Sequence, residues 1–103
     1  MSNLLIVDDE QSYRQLLSLI FEGEGHSIRT ASNGTEAVEQ LMSEPADLVI
    51  SDVRMPDMDG IEMLRTVREA LPDMGIVFMT SHASVEAARE AFKLGADDFI
   101  TKP

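Results

Sequence analysis

The chain has 103 residues, no cysteine, and a formal charge of −11 from 8 basic and 19 acidic side chains. That length supports one small domain, and the lack of cysteine excludes a disulfide framework or a thiolate metal site and favours the cytoplasm. A field of this sign repels nucleic acid and anionic membranes, and the longest apolar runs, "LLIV" and "IVFM", are too short for a membrane span or a signal peptide.

Apolar runs and amphipathic segments alternate along the chain. The first run, "LLIV", reads as a buried strand and leads directly into three carboxylates, Asp8, Asp9 and Glu10. From Gln11 to Glu24, Tyr13, Leu16, Leu17, Ile20 and Phe21 recur at helical spacing, and Gly23 and Gly25 stop the helix. "SIRTA" is a short second strand. A second helix enters through Ser32 or Asn33 and ends before Pro45. "DLVISD" reads as a third strand buried on both faces, followed by the loop "VRMPDMDG".

Ile61, Leu64, Val67 and Leu71 mark a third helix closed by Pro72, and "GIVFMT" a fourth strand. Ser84 caps a fourth helix that runs through Leu94 to a stop at Gly95, and "DDFI" is a fifth strand before the terminal "TKP". This βαβαβαβαβ order predicts an α/β fold, a doubly wound five-stranded parallel sheet; the strand order expected for it is 2-1-3-4-5, as in flavodoxin-like sheets. A doubly wound sheet needs helices on both faces, yet the chain stops after its fifth strand. The expectation is a domain over 1–103 truncated before a last C-terminal helix, with apolar surface left on the sheet and first helix and a tendency to homodimerise, exchange strands or aggregate.

Ligands of open α/β sheets sit beyond the carboxyl ends of the strands, where strand order reverses. In this chain those ends carry Asp8 and Asp9, Asp52, Thr80 and Ser81, and Thr101 and Lys102. An isolated Asp-Asp pair reads by default as a solvated turn with a helix cap. Three acids converging in one cleft raise one another's proton affinity unless a cation is present, and an oxygen-only set suits Mg²⁺ or Mn²⁺. Lys102 beside such a site can hold a phosphate oxygen as a point charge, and a carboxylate there can become an aspartyl phosphate.

"LLIVDDE", "DLVISDVRMPDMDG", "VFMTSHAS" and "GADDFITKP" closely resemble the receiver domain of two-component response regulators, over essentially the whole chain. That resemblance implies a phosphorylation-controlled switch rather than a turnover enzyme. It would accept a phosphoryl group from a histidine kinase onto Asp52 and act on an output domain or partner, in the manner of receivers attached to transcription activators. It also implies that Asp8 and Asp9 hold Mg²⁺ together with Asp52, Asp9 the more directly, and that the backbone carbonyl of Arg54 completes the ligand set. Thr80 and Lys102 would each hold a phosphoryl oxygen, and Phe99 would be the switch aromatic that turns inward as Thr80 moves. The resemblance also implies a cis bond before Pro103; His82, read as a surface or loop residue two positions after Thr80, would influence access of water to the phosphate.

Three other classes compete. A flavodoxin-type flavin binder would be repelled by Asp8, Asp9 and Glu10; an aspartyl phosphatase acting on external substrates resembles Asp-x-Asp, which "VDDEQ" lacks. A receiver-like interaction module independent of phosphate usually lacks one of the acids, the threonine or the lysine, all present here.

Overall fold

The computed structural model describes residues 2–81 and 83–102. His82 and Pro103, which carry the readings on water access and on a cis bond, lie outside the described residues, as does Met1. The strands are β1 (Asn3–Val7), β2 (Ser27–Ala31), β3 (Leu48–Ser51), β4 (Gly75–Thr80) and β5 (Asp98–Thr101). Between them run α1 (Gln11–Gly23), α2 (Gly34–Ser43), α3 (Gly60–Arg68) and α4 (Val85–Lys93). All strand pairs are parallel, as the alternation of elements predicts, and the sheet order is β2-β1-β3-β4-β5, the order expected for a flavodoxin-like sheet.

Alternation along the strands divides the core in two. Leu5, Val7, Val49, Ile76 and Phe78 pack with Ala37 and Leu41 of α2, with Met63, Leu64 and Val67 of α3, and with Ala91 of α4. Ile6 and Ile50 face the other way, onto Leu17 of α1, with Tyr13, Phe21, Ile28, Leu48 and Met79 packed around them. Burying each of these larger side chains stabilises the fold by about 1.5–3 kcal/mol.

A sheet of this order is roughly 19 Å wide and a helix covers roughly 10 Å, so α1 alone cannot span its face. The remainder shows: Leu16 and Ile20 of α1 and Ile100 of β5 stay 51%, 48% and 41% exposed. That surface is where the reading from sequence placed uncovered apolar area.

Helix starts follow the expected caps. The choice between Ser32 and Asn33 resolves into a division of labour: the Asn33 side chain accepts the Glu36 N–H at 2.8 Å, and Ser32 Oγ donates to Glu36 Oε2 at 3.0 Å. Asp59 and Ser84 cap α3 and α4 in the same way, through the N–H groups of Glu62 and Ala87. Gly95, at φ +85, takes the left-handed position that ends α4, and Ala96 N–H reaches back to the Ala91 carbonyl.

Several element ends differ from the expectation by a residue or more. The α3 helix stops at Arg68 instead of running to Pro72, although the Leu71 N–H still reaches the Val67 carbonyl at 2.9 Å. Arg68 donates to the carbonyls of Leu71, Pro72 and Met74 and, across the fold, of Leu94 and Gly95. Strand β5 begins at Asp98 instead of Asp97, whose carboxylate folds onto β4 to accept the Ile76 N–H at 2.9 Å.

Candidate functional site

Because β1 and β3 are neighbouring central strands, the residues that follow them meet at the carboxyl edge of the sheet. Asp8 and Asp52 continue the ladder through their N–H groups, to Ala31 O at 3.1 Å and Val7 O at 2.9 Å, so both acids sit on rigid backbone. Each is buried, at 2% and 6% exposure. Asp8 Oδ1 accepts the Glu10 N–H at 3.0 Å, and Asp52 Oδ1 accepts the Arg54 N–H at 3.2 Å.

Lys102 closes the site from the far edge of the sheet. Its N–H donates to Thr80 O at 2.8 Å, which anchors the backbone beside β4. The side chain then reaches over β4, bringing Nζ to 2.8 Å from Asp8 Oδ2, 2.9 Å from Asp52 Oδ2 and 3.2 Å from Glu10 Oε1. The Tyr13 ring lies beneath it, 4.2 Å from Nζ to the centroid.

Carboxylate oxygens of Asp8, Glu10 and Asp52 lie within 4.8 Å of one another. At about 4 Å two such charges repel by about 4 kcal/mol at an effective dielectric of 20, and one ammonium leaves two of the three negative charges uncompensated. Burial pushes the Asp8 carboxyl above its ordinary range and the Asp52 charge adds to this, against the pull of Lys102 and the Glu10 N–H. Burial works to lower the Lys102 value, but its hydrogen bonds to Asp8 and Asp52, with their charges, outweigh it and hold the ammonium above its usual range. The donors are all oxygens and carry net negative charge, the set a hard divalent cation takes.

The residues singled out from sequence separate into two groups. Asp8, Asp52 and Lys102 are brought together. Thr80 is fully buried at the end of β4, in register with Thr101, and Phe99 is half-buried with its ring 6.2 Å from that of Phe78. Asp9, by contrast, is exposed and lies outside the acidic group, where Glu10 stands instead. Glu10 occupies the N-cap position of α1 but makes no capping bond, because its longer side chain turns to Lys102. Arg54 meets the site through its N–H.

Two positions hold the loops against the site. A Cβ added at Gly60, the first residue of α3, would fall inside contact distance of the Asp52 carbonyl oxygen and 2.9 Å from Phe78 Cε1. Only glycine lets the start of α3 lie this close. Asp57, at φ 68, holds a left-handed turn in the preceding loop, which aspartate tolerates. A groove of about 600 Å³ between α3 and α4, lined by residues such as Arg54, Ile61, Arg65 and Glu90, contains none of the three carboxylates.

A parallel sheet in this order, with acids and a lysine at its switch point, defines a flavodoxin-like domain whose site suits a hard cation and a phosphoryl group. The chain belongs to the response regulator receiver domain family, whose model matches residues 4–103. It is 40% identical over 101 residues to the transcriptional regulatory protein ZraR of Escherichia coli K12, covering 98% of this chain and 23% of that protein. To the DNA-binding transcriptional regulator NtrC of the same organism it is 38% identical over 98 residues, covering 95% and 21%. The chain thus spans less than a quarter of the length of these relatives.

Among solved structures, a CheY-like receiver domain protein of Methanospirillum hungatei JF-1 superposes with a TM-score of 0.96 at 31% identity, covering all of this chain and 82% of that one. The CheX-CheY-BeF3-Mg complex of Borrelia burgdorferi gives 0.92 at 34%, covering 98% and 78%. NtrX of Brucella abortus gives 0.89 at 33%, covering 99% of this chain and 24% of that one.

Proposed function

We propose that this receiver domain takes a phosphoryl group from the phosphohistidine of a histidine kinase onto Asp52, in the cytoplasm, and passes the signal to an output domain or partner. The observation that carries this reading is the position of Asp52 Oδ2, 2.9 Å from Lys102 Nζ and among carboxylate oxygens that fit a divalent cation. In the transfer, an Asp52 carboxylate oxygen attacks phosphorus, the phosphorus–nitrogen bond of the donor breaks, and the departing imidazole keeps the electron pair. Lys102 already touches the attacking group and pairs with a phosphoryl oxygen after transfer.

Asp8 and Asp52, with Asp9 or Glu10 and the Arg54 carbonyl, would hold Mg²⁺ or Mn²⁺; when bound, the cation supplies positive charge against the charge that develops on the phosphoryl oxygens. The Mg named with the Borrelia complex supports this choice. The Thr80 hydroxyl would hold a further phosphoryl oxygen, and Phe99, beside Phe78, would turn inward as Thr80 moves. Modification and slow hydrolysis at one residue make this a switch and not a turnover enzyme.

The relatives are transcriptional regulators by name, and a charge of −11 leaves any contact with DNA to another part of such a protein. The uncovered face bearing Leu16, Ile20 and Ile100 would seat a further helix of a longer chain or a second copy. Among the described residues no helix is long and apolar enough to cross a membrane. No observation favours the phosphate-independent alternative.

The test is intact mass after incubation with acetyl phosphate. Gain of one phosphoryl group by the parent, lost without Mg²⁺ and lost in Asp52→Asn, is the expected result. A folded parent that gains nothing with Mg²⁺ present would overturn the reading.

A further inference from the structure

We infer that Tyr13 is a positioning residue for phosphoryl transfer: its ring face holds the Lys102 ammonium against Asp8 and Asp52. The inference rests on the reading of Asp52 as phosphoacceptor, and it adds a residue that helical periodicity marks only as core.

Lys102 needs such a support because of where it starts. Its backbone lies at the sheet edge, while its ammonium serves strands β1 and β3, with β4 in between. A four-carbon stem with free rotation carries about 2 kcal/mol of rotamer entropy, so charge attraction alone leaves the tip several ways to face an acid. Around Nζ lie the carboxylates of Asp8, Glu10 and Asp52, and the Tyr13 ring at 4.2 Å. The three acids are also the oxygens that fit a cation, so their hold on Lys102 is shared once one is present. The ring offers no oxygen to a cation, so its hold on Lys102 is not drawn into a metal site.

Tyr13 is well placed for this. It lies in the first turn of α1, where its N–H donates to Glu10 O at 3.2 Å, and its side chain packs with Ile6, Leu17 and Ile50. The same turn is tied to β1 by Arg14, which donates to the Asp8 carbonyl at 2.6 Å. The ring therefore sits on backbone continuous with Asp8 and Glu10. With its tip closed in this way the Lys102 side chain is only 3% exposed. An ammonium over an aromatic face, shielded from water, is the favourable case of a cation–π contact.

The experiment compares Tyr13→Phe, which keeps the face, with Tyr13→Leu and Tyr13→Met, which fill space without it, all checked for fold by circular dichroism. The first readout needs neither metal nor phosphodonor. Lys93 is the other lysine of the chain and is exposed, so limiting amine acylation read by peptide mass gives the reactivity of Lys102 against an internal standard. Lys102 is expected to be protected in the parent and in Tyr13→Phe, and to react about tenfold faster in the Leu and Met variants. The second readout is the rate of phosphoryl uptake from acetyl phosphate, expected to fall about tenfold in the Leu and Met variants and by less than about twofold in Tyr13→Phe.

Unchanged protection in the Leu and Met variants would overturn the inference. So would lost protection in Tyr13→Phe, which would move the effect to the hydroxyl, and so would lost protection with unchanged uptake. If the parent itself takes up no phosphoryl group, the assignment of Asp52 fails, while the acylation comparison still decides whether the ring holds the ammonium.

Discussion

The Lys102 ammonium lies 2.9 Å from Asp52 Oδ2, joining residues 50 positions apart across the carboxyl edge of the sheet. Removing it in Lys102→Met leaves Asp8, Asp52 and Glu10 facing one another without a cation. Breaking a buried pair of this kind costs about 3–5 kcal/mol, and urea unfolding should read the loss as a lower midpoint. Millimolar Mg²⁺ is expected to restore more stability to the variant than it adds to the parent. Since its partners hold the Lys102 value above the ordinary one, the pair's contribution is complete below about pH 10.4 and is lost only as pH rises through the higher folded-state value.

Asp8 behaves in the opposite sense at the acid end. Burial, with the neighbouring Asp52 charge, raises its folded-state value above the ordinary carboxylate value of about 3.9. The stability linked to that shift is complete below the unfolded value and is lost as pH rises through the folded one. Asp8→Asn is therefore expected to melt no lower than the parent at neutral pH without metal. The two melting temperatures should converge below about pH 3.9, where the parent carries a neutral Asp8. A parent that melts higher at neutral pH without metal would contradict this.

Gly60 allows the start of α3 to approach Asp52, and a methyl there meets the Asp52 carbonyl oxygen, Phe78 Cε1 and Ser51 Oγ. Backbone and a buried ring cannot yield easily, so Gly60→Ala is expected to cost about 3 kcal/mol and to slow phosphoryl uptake by displacing the acceptor. Gly23, the last residue of α1, has nothing within 4 Å of an added Cβ. Gly23→Ala is expected to raise stability by up to about 1 kcal/mol and to leave uptake unchanged, so thermal melts of the two separate close packing from helix propensity.

Arg68 links the end of α3 to the turn after α4 without an acidic partner. Its Nε donates to Leu94 O at 2.8 Å, its Nη1 to Met74 O at 2.8 Å and its Nη2 to Gly95 O at 3.2 Å. Lysine keeps the charge but not the planar fork, so Arg68→Lys is expected to cost about 2 kcal/mol. Amide exchange should quicken at residues 94–96 before it does in β1 or β3.

Much of this molecule is legible along the chain because its signals are local. The strands β1, β3 and β4 are short apolar runs, and α2, α3 and α4 each follow a side chain that can cap them, with Asn33, Asp59 and Ser84 doing so. The alternation of elements reaches as far as a parallel sheet with right-handed crossovers, while the order 2-1-3-4-5 goes with the flavodoxin-like fold and not with the alternation itself. The anchoring of the end of α3 was not legible, because the carbonyls that Arg68 donates to include those of Leu94 and Gly95, beyond the next strand.

At the site the same division holds. Asp8, Asp52 and Lys102 could be placed together from the sequence, since each follows a strand that ends at one edge of one sheet. That a Glu10 oxygen, and not one of Asp9, lies within 4.8 Å of the Asp8 and Asp52 carboxylates depends on how three residues turn between β1 and α1, where no periodicity assigns a face. Tyr13 carried the spacing of a core residue, and only the arrival of Lys102 over β4 put a charge above its ring. Helix caps and the apolar runs of the central strands depend on neighbours in the chain, so the sequence alone determines them. Which carboxylate and which ring receive a lysine from the far edge of the sheet depends on groups that meet only once the sheet has formed.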